Sequence, residues 1–213
     1  MTGVQTCALP IFPQKNVSSA EWQTFLRKSF AANKPWDQLV REILSADGTN
    51  PKNRGPASFY LDRNGDVNVL TQDIGRVFLG ANLECAQCHD HPEIDDYKQA
   101  TYYGISAFYV RSYVFKDKKL KKSVIAEKGV GEVSFESVFD IRDKKSKGPK
   151  STTPAVFSAK MKTEPKFKKG QEYKRKPTKT IGGIPKFSRR EKFPAVMTST
   201  KNNRFARTAV NRT

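Results

Sequence analysis

The chain has 213 residues, 37% of them hydrophobic, and a formal net charge of +18. That length supports one domain of ordinary size and part of another. No window approaches the roughly 18 uninterrupted apolar residues that a membrane-spanning helix requires, so a bilayer-crossing role is excluded for this segment.

The charge is unevenly placed. Residues 1–110 hold 10 Lys+Arg against 12 Asp+Glu, and residues 111–213 hold 29 against 9. Such a split implies either an anionic partner or a basic, solvated, weakly packed region. The lysines are scattered among Gly, Pro, Ser and Thr without regularly spaced aromatic residues, which favours the solvated region.

The opening "MTGVQTCALPIF" has no basic leader, and Pro10 cuts its apolar run, so it does not read as a signal peptide. Residues 1–11 resemble the translation of a sequencing adapter. They are set aside together with Cys7, and the natural start is then expected to be missing.

Residues 18–46 read as two helices. Ser18 or Ser19 can cap the first, and Trp22, Phe25, Leu26 and Phe30 recur at helical spacing. Pro35 suits the first turn of the second, where Trp36, Leu39, Val40, Ile43 and Leu44 share a face and Gly48 ends the run. The following loop contains "DRNGDVNVLTQD", with Asp62, Asn64, Asp66 and Asp73 at the spacing of a calcium loop. Val67 stands where that loop needs glycine, so a polar turn is expected instead.

From Thr71 the helical pattern returns, with Ile74, Val77, Phe78 and Ala81 on one face, and runs toward Cys85. A fourth helix is expected in "DDYKQATYYGISAFYV", carrying Tyr97, Tyr102, Ile105, Phe108 and Tyr109 and folding back on the third. Beyond Phe115 the pattern fades into short extended pieces such as "GEVSFESVFDIR" between lysine-rich linkers. No internal repeat is visible. The fold class is therefore mainly α: about four helices around one cysteine motif, then an irregular, lysine-rich half with short strands.

That motif is "CAQCHDHP", residues 85–92. In C-x-x-C-H the two thiols lie on one side of a helical turn and can add to the two vinyl groups of one porphyrin, and the next residue aims its imidazole at the iron. On this reading Cys85 and Cys88 anchor a covalent haem c and His89 binds its iron. A structural zinc site would need a second ligand pair. Only Cys85, Cys88, His91 and a carboxylate such as Asp95 or Asp96 are at hand. An iron–sulfur cluster needs four thiolates. A redox dithiol belongs at a helix N-terminus, whereas these cysteines are expected to follow a helix. A structural disulfide would close too small a loop to stabilise much.

His91 lies too near His89 to reach the opposite face of the same porphyrin. It can bind a metal, hydrogen-bond a propionate or stiffen the turn with Pro92, and the turn is the expected role. Met161 and Met197 sit in weakly patterned surroundings, and the sixth haem ligand stays unassigned.

"KPWDQLVREILSADG", "VFLGANLECAQCHDHP" and "YYGISAFY", in that order, resemble the cytochrome-c-like domain of unknown function found in large exported planctomycete proteins. The closing "NNRFARTAVNR" resembles the opening of the domain of unknown function that follows it there. The resemblance covers residues 20–110 well, is loose over 111–190 and resumes at the end. It touches Cys85, Cys88, His89, Asp90, His91 and Pro92, and departs at Glu93, where an aromatic residue is expected.

The resemblance implies a fragment of an exported, periplasmic or cell-surface multidomain protein. Its implied layout is an adapter-like 1–11, a helical cytochrome-c-like domain over 12–115, a basic irregular region over 116–190 and the start of a second domain over 191–213. A redox partner protein, the rest of its own chain and an attached oxidoreductase are the implied associates. No catalytic constellation is present. The alternatives carried forward are a non-haem zinc or iron structural domain, and a scaffold whose basic half binds anionic surface polymer or nucleic acid.

Overall fold

The computed structural model describes residues 16–145 and 147–211. The adapter-like stretch and Cys7 lie outside them. Helix α1, Ser19–Ala31, starts at a reciprocal capping box: Ser18 Oγ accepts the Glu21 N–H at 3.2 Å and the Glu21 carboxylate accepts the Ser18 N–H at 3.1 Å. That backbone hydrogen bond holds the Glu21 carboxyl below its ordinary range. Phe25 is buried and Trp22 and Leu26 pack against the core, but Phe30 is 66% exposed. The 3-10 turn Gly55–Ala57 is the main partner of α1 and lies against Glu21 and Phe25.

Helix α2, Trp36–Ser45, buries Leu39, Val40, Ile43 and Leu44. It ends before the turn at Gly48, whose φ of +79° suits glycine. Helix α3, Ser58–Leu61, leads into a turn and then into α4, Val67–Leu79. Helix α4 begins earlier than the pattern from Thr71 foretold, because the Asp66 carboxylate caps it, accepting the N–H groups of Asn68 and Val69 at 2.8 and 3.1 Å. Asp73 is held by Arg63 at 2.6 Å and Arg76 at 3.0 Å, and Asp62 accepts from Ser58. The three carboxylates thus serve separate sets of partners, as in a polar turn.

Helix α5, Gln99–Ser106, folds back on α4. Thr71 Oγ1 meets Ser106 Oγ at 3.0 Å, and the Tyr102 hydroxyl donates to Asn68 Oδ1 at 3.0 Å. Tyr102, Ile105, Phe108 and Tyr109 join Leu70, Ile74, Phe78 and Leu79 in the core.

The second half opens with an antiparallel hairpin of β1, Ser112–Asp117, and β2, Lys122–Glu127, in which Ser112 faces Glu127. Strand β3, Ser134–Phe135, pairs with β4, Lys150–Ser151, around helix α6, Val138–Arg142. "GEVSFESVFDIR" is thus extended only at Ser134–Phe135; Ser137 Oγ accepts the Phe139 N–H and turns the rest into a helix. Two further short pairs follow: β5, Ala155–Val156, with β6, Ala159–Lys160, and β7, Tyr173–Arg175, with β8, Ile184–Pro185. Helix α7, Arg189–Met197, packs on α2, and α8, Asn203–Val210, packs on α4. The fold is mainly α, with 39% of the described residues helical and 13% in strands.

The basic half is less solvated than its composition suggests. Phe193 and Met197 are fully buried in the common core, and Arg111, Arg189 and Arg190 are buried as ion pairs. Arg111 and Arg189 both grip Glu132 and Glu164; burial alone would raise the Glu164 carboxyl, but the two guanidinium groups outweigh it and hold it below the ordinary range.

Candidate functional site

The cysteine motif does not continue α4. Gly80 ends that helix in the left-handed region at φ +56°, and the Ala81 N–H returns to the Gly75 carbonyl at 2.9 Å. A side chain at Gly75 would stand 2.7 Å from the Ala81 carbonyl oxygen, so glycine there lets the departing chain lie close against the helix. Leu83 and Ala86 sink into the core. Cys85–Gln87 forms its own 3-10 turn, separated from α4 by the five residues 80–84. The expectation that the helix runs straight into Cys85, with the cysteines at its C-terminal end, is therefore corrected: a left-handed glycine and an irregular stretch intervene.

With Ala86 pointing inward, Cys85 and Cys88 are exposed free thiols and His89 is half-buried. Three of the turn's carbonyl groups are engaged. Cys85 O accepts the N–H groups of Cys88 and His89 at 3.1 and 3.2 Å, Gln87 O accepts the Tyr103 hydroxyl at 2.8 Å, and Cys88 O accepts the Val138 N–H at 3.1 Å. The buried Gln99 side chain also donates to Gln87 O and to Glu136 O, both at 3.4 Å. Asp90 Oδ1 accepts the Gln99 N–H at 2.8 Å and so ties the far side of the motif to the start of α5. Burial, and after it the charge of a Cys88 thiolate, hold the Tyr103 phenol above its ordinary range.

The two histidines differ in a way their sequence spacing does not show. His89 Nδ1 lies 2.7 Å from the carbonyl oxygen of Asp90. A carbonyl only accepts, so Nδ1 carries the proton and the Nε2 lone pair is left for another partner. At His91 the arrangement is inverted: Nδ1 accepts the N–H groups of Glu93 and Ile94, each at 3.1 Å, so the neutral ring carries its proton on Nε2. His91 also stands edge-on to Tyr97 with ring centroids 5.8 Å apart, and its backbone N–H donates to the Tyr97 backbone carbonyl at 2.9 Å. These are the contacts of a residue that builds a turn.

The zinc donor set is not assembled: Asp96 pairs with Arg204 at 2.9 Å, and among the described residues no three His, Cys, Asp or Glu side chains gather as a metal ion would need. Met197 is buried in the core and Met161 packs at its edge. Among the described residues no helix is long and apolar enough to cross a membrane.

Sequence reasoning missed Gln99, Tyr103 and Phe139 as parts of this site. The Phe139 ring lies against His89, centroids 4.6 Å apart and tilted by 40°. Its only signal was the run of apolar residues Val133, Phe135, Val138, Phe139 and Ile141 inside a lysine-rich stretch.

A small, mainly helical module that displays two thiols and one free imidazole nitrogen on a braced turn defines the class. Residues 12–113 match the model of the PSCyt2 family, described as a protein of unknown function (DUF1549). It is the cytochrome-c-like planctomycete domain that the motif order resembles. No curated protein and no solved structure matches the chain.

Proposed function

We propose that the chain is a c-type haem module for electron transfer, with the porphyrin joined to Cys85 and Cys88 and its iron bound by His89. The observation that carries this is the 2.7 Å contact of His89 Nδ1 with the Asp90 carbonyl oxygen: as a hydrogen bond donated by Nδ1 it orients the ring and leaves Nε2 as the ligating atom, beside two exposed thiols on the same turn. The bound haem would supply one-electron redox chemistry.

The chain's own residues hold that arrangement ready. The Asp90 carbonyl makes the imidazole a stronger electron donor by sharing its proton. Tyr103, Gln99 and Val138 fix the turn through its carbonyl groups, so little ordering is left to occur when the thiols react. His91 serves the turn. The exported location, the redox partner and the larger chain belong to this proposal through the family alone.

The test is expression in a host that exports the protein through a haem-attachment pathway. Wild-type protein is expected to keep a peroxidase-active band through denaturing electrophoresis, and Cys85→Ala with Cys88→Ala to lose it completely. A wild-type protein with no such band, or a band that survives the double substitution, would contradict the proposal.

A further inference from the structure

Helix α6 has none of its five residues buried, yet three are large and apolar: Val138, Phe139 and Ile141 are 44%, 43% and 55% exposed. A cluster of this kind beside a site marks a surface that something else covers. Two contacts fasten it to the motif. The Val138 N–H is bonded to the Cys88 carbonyl, and the Phe139 ring rests on the His89 imidazole. Arg142 lies over Phe139 as well, 5.0 Å from the ring centroid. A cleft of about 460 Å³ opens alongside, with Phe135 and Phe139 as aromatic lining and Lys98 and Lys150 balanced by Asp90 and Asp140, Lys98 being paired with Asp90 at 3.6 Å.

Resting on the haem reading above, we infer that α6 is the wall of the porphyrin site on the side that His89 ligates, with Phe139 packed against both the imidazole and the macrocycle. An imidazole bound through Nε2 stands on one face of the porphyrin, and a ring lying against that imidazole shares that face. The occupant is identified by continuity: the apolar cluster touches Cys88 through its backbone and His89 through its ring, two of the three residues, with Cys85, that would attach one flat, apolar group. The lysine-rich half thereby contributes to the site, outside the segment that carries the family match.

The experiment is redox titration of haem-loaded protein carrying Phe139→Ala or Ile141→Ser, with Phe30→Ala, at an exposed position on α1, as control. Both α6 variants retain covalent haem, because the sulfurs are untouched, but their midpoint potentials fall below wild type. Opening the wall lets water stabilise the extra charge of ferric haem. The control stays at the wild-type value. Ile141→Ser changes a residue more than half exposed, so it reports on the wall even where Phe139→Ala disturbs folding. Haem-loaded α6 variants with unchanged potentials would overturn the wall and leave the haem reading standing, whereas a wild-type protein without haem would overturn both.

Discussion

Glu127→Ala is expected to lower the unfolding free energy by about 3–5 kcal/mol, the range for a buried ion pair broken on one side. Glu127 and Arg190 are 5% and 3% exposed and meet at 3.2 Å. Ser188, the cap of α7, donates to the same carboxylate at 2.8 Å, and Arg190 also donates to the Ser45 and Ala46 carbonyls at the end of α2. Burial works against the Arg190 charge, but Glu127 outweighs it and keeps the guanidinium pKa above its ordinary value. Removing the carboxylate therefore leaves a charged group stranded between α2 and α7. Denaturant unfolding should show a lower midpoint with an unchanged slope. The double change Glu127→Met with Arg190→Met should recover most of the loss, since two apolar side chains of similar volume strand no charge. A loss below about 1 kcal/mol for the single variant would show that Arg190 finds water or another partner.

Among functional variants the largest effect falls on His89. His89→Ala should abolish the native absorption spectrum of the haem-loaded protein, because the only imidazole of the motif with its Nε2 lone pair free is gone. His91→Ala should leave the spectrum unchanged and cost about 1 kcal/mol of stability by releasing the Glu93 and Ile94 N–H groups. Visible spectra of the oxidised and reduced proteins decide the matter. An altered spectrum for His91→Ala beside a normal one for His89→Ala would reverse the assignment.

These predictions separate what the sequence discloses from what it hides. Helices α1 and α2 were legible because their signals are local: Ser18 and Glu21 stand three residues apart, and Leu39, Val40, Ile43 and Leu44 repeat within one helix. The cysteine motif was legible for the same reason. The buried arginines were not, because their partners are remote. Arg190 finds Glu127 at a separation of 63 residues and Arg189 finds Glu132 at 57, so in the sequence both look like surface charge. The break between α4 and Cys85 was hidden because Gly80 interrupts a continuous apolar pattern by its backbone angle alone. The unequal roles of His89 and His91 depend on which backbone group each Nδ1 meets, and spacing carries no trace of that.

The most direct measurement of the central claim is the mass of the tryptic peptide spanning residues 77–98, released by cleavage after Arg76 and Lys98 from exported, haem-loaded protein. The account predicts a peptide heavier by one haem, with neither Cys85 nor Cys88 open to alkylation. A peptide with two alkylated thiols, or one whose mass fits only a disulfide between them, would contradict it.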